Sequence, residues 1–294
     1  MNPKTWTIKE LLDVTTNYLA QKGIDSPRLS AEILLARQLN LTRVNLYIAF
    51  DKPLNDHEIN GYRSLIKRRL NREPIQYITG VQEFWSMEFD VDSRVLIPRP
   101  ESEILVEQVK LLYEQWLKNI KESPVILDLC TGSGALAIAI AREIENASIW
   151  ASDISKDALA VAELNSKKHG TAERIRFIQG DLWQPIEKPA VKFDFIVSNP
   201  PYIPSSEYNS LSPEIRDYEP RQALDGRHNG MFYIEKIIMN GSDHLEPNGW
   251  LLIEMDPIQI ETALELIEDT GNYTEKRSIK DYSHRDRVVM AKRN

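Results

Sequence analysis

The sequence predicts a doubly wound α/β domain preceded by a small helical domain, on three observations. Apolar residues at helical spacing fill residues 5 to 72 with no strand pattern among them. From Glu101 onward, short β-like runs take turns with helical ones. One of those runs, Val125 to Leu129, passes directly into a glycine turn and a further helix. A chain of 294 residues, 42% of them hydrophobic, is long enough for one large domain and one small one.

In the first part, Leu11, Leu12, Val14 and Leu19 mark an apolar helical stripe, and Thr7, Ser26 before Pro27, Thr42 and Asn55 stand where successive helices should start. The run Lys67-Arg68-Arg69 reads as a solvated helix face. Residues 1–76 are therefore expected to form the helical domain. Between Tyr77 and Ile97, Gly80 and the alternating Phe84-Trp85 and Phe89-Asp90-Val91 predict a hairpin linker over residues 77–97. Residues 98–294 are expected to form the α/β domain. Its helices should cover Ile104 to Asn119, Gly134 to Ile144, Ala158 to His169, Met231 to His244 and Ile260 to Asp269. Its strands should cover Val125 to Leu129, Ser148 to Ser152, Ile175 to Gln179, Phe193 to Ser198, Gly249 to Glu254 and Arg287 to Ala291.

Composition narrows the function classes. One cysteine, Cys130, leaves no disulfide framework and no cysteine cluster for zinc, which points to a reducing compartment, the cytoplasm. The five histidines, His57, His169, His228, His244 and His284, lie at no metal-ligand spacing, so no metal is expected. The start, Met1-Asn2-Pro3-Lys4-Thr5-Trp6, lacks a signal-peptide apolar run, and no apolar stretch approaches a bilayer span, so no membrane partner is expected. A net charge of −8 disfavours a nucleic-acid partner and favours a protein or small molecule.

The glycine turn is Thr131-Gly132-Ser133-Gly134. Gly132 and Gly134 permit close backbone approach, and the following helix offers unpaired N–H groups to a carboxylate or phosphate. The same residues match the dinucleotide pattern G-x-G-x-x-A, so the glycines alone do not choose a cofactor. Asp153, about 20 residues on at the end of the next strand, suits a ribose diol in either case. Asp128, just before the turn, would repel a pyrophosphate but attract the ammonium or sulfonium of S-adenosylmethionine, so charge favours the methyl donor. Asp181, in Gly180-Asp181-Leu182-Trp183 after the third strand, suits an adenine amino group, with Leu182 or Trp183 to pack on the ring.

The fourth strand ends in Asn199-Pro200-Pro201-Tyr202. Two prolines fix the backbone, so the Asn199 side-chain oxygen and the Pro200 carbonyl can each accept one N–H of a planar NH₂ group. Both acceptors stabilise the positive charge that grows on nitrogen during methyl transfer, and Tyr202 can face the planar group.

Together with Pro74 to Gly80, Ile97-Pro98-Arg99-Pro100-Glu101-Ser102-Glu103, Glu214 to Pro220, Asp281-Tyr282 and Asp286-Arg287-Val288, these motifs resemble the family of peptide-chain release factor N5-glutamine methyltransferases, the HemK/PrmC family, over nearly the whole chain. The resemblance implies a Rossmann-like class I S-adenosylmethionine methyltransferase acting in translation termination. It also implies transfer of a methyl to the glutamine amide in the Gly-Gly-Gln motif of class one release factors, with S-adenosyl-L-homocysteine as product. It implies that Asn199, Pro200, Pro201 and Tyr202 hold the glutamine, that Thr131, Gly132, Ser133, Gly134 and Asp153 bind the donor with Asp181 and Leu182 near its adenine, and that the helical domain docks the release factor. Two positions depart from the family: Cys130 stands where glycine is frequent, and Asp256-Pro257 replaces a glycine after Glu254. The alternatives are a glutamine methyltransferase of a ribosomal protein, an adenine-N6 nucleic-acid methyltransferase and a noncatalytic donor-binding scaffold.

Overall fold

A computed structural model describes residues 5–186 and 191–294. The expectation drawn from Met1 to Lys4 lies outside the described residues. The chain divides into two compact units: one holds the residues up to Gly80 together with Ser212–Tyr218, the other holds Val81–Leu211 and Glu219–Asn294.

The first unit is helical: α1 (Ile8–Gln21), α2 (Pro27–Leu39), α3 (Arg43–Ile48), α4 (Asp56–Leu70) and α5 (Ile75–Thr79). Thr7 and Asn55 start α1 and α4 with reciprocal capping boxes to Glu10 and Glu58, and Thr42 caps α3 through the N–H of Asn45. Ser26 occupies the start of α2 but caps nothing, because its backbone is left-handed at φ 45°. Leu12, Leu34, Leu35 and Tyr62 are fully buried at the centre of the unit, each side chain contributing about 1.5–3 kcal/mol by leaving water.

Two sequence expectations are corrected here. Arg69 is not on a solvated face: it is 6% exposed and its guanidinium pairs with Glu214 at 3.1 Å. Residues 212–218, expected in the α/β part, belong to this unit, held by Glu214 to Arg69 and Arg72 and by the Tyr218 hydroxyl donating to the Asn71 carbonyl at 2.6 Å. An apolar spacing rule does not see such an attachment, because charge and a single phenol make it.

The second unit opens with a hairpin, β1 (Val81–Phe84) and β2 (Met87–Asp90), joined by Trp85 and Ser86 at φ 52° and 55°. Two positive φ values make a turn of the kind that usually carries Asn-Gly. Here the Glu103 carboxylate accepts the Trp85 N–H at 2.7 Å and Glu143 accepts its indole N–H at 2.7 Å, which holds the turn.

Then follow α6 (Glu103–Leu112), β3 (Val125–Leu129), α7 (Ala135–Glu143), β4 (Ser148–Asp153), α8 (Lys156–Lys168), β5 (Ile175–Gln179), β6 (Phe193–Ser198), α9 (Pro213–Arg216, in the first unit), α10 (Phe232–His244), β7 (Leu245–Glu254), α11 (Ile260–Thr270), β8 (Tyr273–Lys280) and β9 (Asp286–Arg293). The seven-stranded sheet has the order β5-β4-β3-β6-β7-β9-β8. The first five are parallel, and β9 runs antiparallel to both β7 and β8. One apolar layer, with Ile126, Ala137 and Phe195, covers one face, and another, with Leu127, Ile196 and Ile237, covers the other. Burial on both faces explains why β6 is apolar nearly throughout. β3 and β6 are neighbours, yet the chain reaches β6 only after passing outward through β4 and β5. Their carboxyl ends are thus the point where the winding reverses, which is where such sheets bind ligands. Among the described residues no helix is long and apolar enough to cross a membrane.

Candidate active site

A cavity of about 130 Å³ opens at that reversal point, lined by Thr131, Gly132 and Ser133 after β3, Asp153 at the end of β4, Asp181 and Leu182 after β5, and Asn199 and Pro201 after β6. Residues from four strand ends that lie far apart in sequence therefore share one wall. Asp128, Gly134, Pro200 and Tyr202 do not line it.

Gly132 and Gly134 differ in what they do. A Cβ on Gly132 would meet nothing within 4 Å, so this residue presents its backbone to open space. A Cβ on Gly134 would lie 3.0 Å from that of Ala162, so its bareness serves the contact of the turn with α8. Both have positive φ, 56° and 82°. Cys130 completes the turn at φ 63°, a conformation that costs a residue with a Cβ about 1–2 kcal/mol. That is a physical reason for glycine at this position. Cys130→Gly is expected to gain up to about 1 kcal/mol, because the added freedom of the unfolded chain offsets part of the relieved strain; denaturant midpoints of the two proteins check this.

Asp153 is held from below. Its Oδ2 accepts the Gly132 N–H at 2.9 Å and its Oδ1 accepts the Ser155 N–H at 2.9 Å. Burial raises its proton affinity, and these backbone donors counter that. The Ile154 N–H is a third backbone donor to the same carboxylate.

Asp128 stands behind the turn, fully buried. Its Oδ2 accepts from the Thr131 hydroxyl at 2.6 Å and from the Ala137 N–H at 3.2 Å, tying turn and helix to β3. Its Oδ1 has no partner among the described residues. Burial pushes its carboxyl up to about 7 despite the Thr131 and Ala137 donors. An unfolded aspartate titrates near 4, so between about pH 4 and 7 the folded chain retains a proton that the unfolded chain has released. Stability therefore falls as pH rises through this window, and the loss is complete above pH 7. Asp128→Asn, which keeps an acceptor without the charge, is expected to improve relative to the parent by on the order of 1 kcal/mol between pH 5 and pH 8. Melting curves at the two pH values check it.

The acceptor-like turn is clamped from several sides. Asn199 Nδ2 donates to Ser102 Oγ at 2.9 Å, so the carboxamide's remaining hydrogen-bonding atom of acceptor type is Oδ1. The Tyr202 ring packs on the core layer below the sheet, and its hydroxyl donates to Glu254 Oε1 at 3.4 Å. Gln259 Nε2 donates to the Tyr202 carbonyl at 2.9 Å, and the Ile203 N–H donates to the Leu224 carbonyl at 3.0 Å. Gly230 packs so closely that a Cβ there would lie 2.1 Å from the Tyr202 carbonyl oxygen. The loop Asp225 to Gly230 is thus a brace for the tetrapeptide. Ser102, Glu254 and Gln259 were not anticipated. For Glu254 a signal existed, since it is a carboxylate at a strand end like Asp153. Arg99 and Glu219 pair at 2.6 Å near the cavity mouth, which gives a fixed position to a segment known only as a motif.

Comparison with known proteins supplies the context. Residues 10–80 match the family model described as PrmC N-terminal domain, and residues 102–212 match the one described as methyltransferase small domain. The chain is 41% identical over 287 residues to a release factor glutamine methyltransferase of Geobacter sulfurreducens, spanning 98% of this chain and 97% of that protein. It is 40% identical to one of Chlorobaculum tepidum, spanning 97% and 96%. Among solved structures, human methyltransferase 10 domain containing protein superposes with TM-score 0.53 at 12% identity over 70% of this chain and 88% of its own. A T. thermophilus 16S rRNA N2 methyltransferase in complex with AdoMet and guanosine gives 0.50 at 16% over 73% and 50%. At these identities the structures speak for the fold, a methyltransferase-type α/β sheet.

Proposed function

The chain belongs to the family of release factor glutamine methyltransferases, and from that premise we propose that it moves a methyl group from S-adenosyl-L-methionine to the side-chain amide nitrogen of the Gly-Gly-Gln glutamine of a class one release factor, leaving S-adenosyl-L-homocysteine. The observation that carries this reading is the Asn199 carboxamide on the cavity wall, its Nδ2 engaged by Ser102 and its oxygen left as an acceptor.

The cavity suits the donor. Asp153 places a carboxylate on the wall for a ribose diol, Asp181 and Leu182 offer an acceptor and an apolar surface for adenine, and Thr131, Gly132 and Ser133 present the turn backbone to a carboxylate. The buried carboxyl of Asp128, together with Gly134, supports the turn from behind. When bound, S-adenosylmethionine supplies an electrophilic methyl on sulfur.

An amide nitrogen is a poor nucleophile because its lone pair is delocalised into the carbonyl, so holding it in line is the main task. Asn199 Oδ1 and the Pro200 carbonyl each accept one N–H of the glutamine amide, and Pro201 and Tyr202 keep that pair rigid. The same two oxygens stabilise the positive charge that grows on nitrogen, and no base has to act first. The helical unit is proposed to dock the release factor. The acidic balance favours this protein acceptor over a nucleic acid, and the single cysteine favours the cytoplasm.

Release of S-adenosylhomocysteine, followed with an unmodified release factor, a ribosomal glutamine substrate and adenine-containing DNA in parallel, tests the reading. Turnover is expected with the release factor. Turnover confined to either of the others overturns the proposed acceptor.

A further inference from the structure

Ser102 occupies the start of α6, where a serine ordinarily caps the helix, yet its side chain caps no helix N–H and instead accepts from Asn199 Nδ2 at 2.9 Å. A hydroxyl that accepts there is free to give its own proton elsewhere, and the group beside it is the carboxylate of Glu254, which also receives the Tyr202 hydroxyl at 3.4 Å. Glu254 is 1% exposed, and its Oε2 has no hydrogen-bond partner among the described residues. Behind it stands Arg287, 8% exposed, whose Nη1 reaches the Met255 carbonyl at 3.4 Å and whose Nε lies 3.5 Å from Asp281. Two motif pieces without a role in the chemistry above, Asp281-Tyr282 and Asp286-Arg287-Val288, are thereby joined to the acceptor site. A file of buried charges is costly, and apolar side chains of similar volume would generally stabilise a fold as well or better. Its presence directly under Asn199 and Tyr202 calls for a role other than stability.

We propose that Glu254 is a positioning residue for the methyl acceptor: it directs the hydroxyls of Ser102 and Tyr202, and Ser102 in turn locks the Asn199 carboxamide with its oxygen toward the incoming amide. The Arg287 guanidinium favours the ionised, acceptor form of Glu254, and Asp281 pairs with Arg287. Burial drives the Glu254 carboxyl up to about 7, and Ser102, Arg287 and Tyr202 act against that rise. In Glu254→Gln the new carboxamide can offer an N–H to the Ser102 oxygen, and the Ser102 hydroxyl can then turn its proton toward Asn199, which invites that carboxamide to flip and present NH₂ where an acceptor is required. Glu254 itself touches neither donor nor acceptor in this scheme. The proposal rests on the function given above.

The test uses the full chain and an unmodified release factor, comparing the parent with Glu254→Gln, Ser102→Ala, Ser102→Thr and the Glu254→Gln/Ser102→Ala double variant. The expected result is a fall in kcat of about ten-fold or more in Glu254→Gln and in Ser102→Ala, with KM for S-adenosylmethionine held within about two-fold. Ser102→Thr, which restores the hydroxyl, recovers most of the loss. The double variant falls no further than the worse single one, since both act through one hydrogen bond. Losses that multiply, or a kcat that matches the parent, overturn the proposal. Ser102→Ala removes a single oxygen, so it decides the matter even if Glu254→Gln does not fold. Turnover by the parent with unaffected variants removes only this inference; absence of parental turnover removes the proposed function with it.

Discussion

Asn199→Ala is expected to abolish measurable methyl transfer, with kcat down by about 10²–10³-fold, while the affinity for S-adenosylmethionine changes little. In the proposed mechanism the side chain supplies one of two oxygens that orient the acceptor amide and that meet the charge arising on its nitrogen. Both tasks concern the transition state, so the loss falls on kcat. The fold should tolerate the change: Asn199 is half-buried and its one recorded side-chain bond, to Ser102, leaves behind a hydroxyl that can turn to another partner. Single-turnover rates with donor affinity by calorimetry separate the two effects. Retained turnover contradicts the assigned role, and a large loss of donor affinity moves Asn199 to the cofactor side of the site.

Asp153→Ala is expected to weaken donor binding by about 1–3 kcal/mol, the cost of two lost hydrogen bonds to a carboxylate in a sheltered site, or about 5- to 150-fold in Kd. Part of this loss is indirect. Asp153 Oδ2 is also the acceptor for the Gly132 N–H, so the alanine variant frees the turn that forms the next stretch of wall. Asp153→Asn keeps one acceptor oxygen and should lose less. Calorimetric titration with S-adenosylhomocysteine measures both variants, and an unchanged affinity in Asp153→Ala would place the ribose contact elsewhere.

Much of the fold was legible because its signals are local. Strands β3, β5 and β6 occupy the ranges expected for them, and α1, α3 and α4 start at side chains that cap them. Strand β8 was not anticipated. Its sequence, Tyr273 to Lys280, is half charged and mostly exposed, and it lies at the edge of the sheet, paired on one side only with β9. No apolar alternation marks such a strand, because only one edge and little of either face is covered. β7 likewise begins at Leu245, before the expected Gly249, since Glu246-Pro247-Asn248 interrupts the apolar pattern.

The site divides the same way. That Thr131, Gly132, Ser133, Asp153, Asp181, Leu182, Asn199 and Pro201 line one cavity was legible because each ends or follows a strand of one parallel sheet, and the carboxyl ends of such strands converge. The brace beneath them could not. Asn199 meets Ser102 across 97 residues and Tyr202 meets Glu254 across 52, contacts fixed by the order of strands and helices in space. Residue spacing also does not show that the missing side chain of Gly134 makes room for Ala162.

The most direct test of the central claim is fragmentation mass spectrometry of an unmodified class one release factor after incubation with this protein and S-adenosylmethionine. The account predicts one added methyl, located on the side-chain amide of the glutamine in Gly-Gly-Gln and missing when Asn199→Ala replaces the parent. A methyl on any other residue, or none on the release factor while another acceptor gains one, contradicts it.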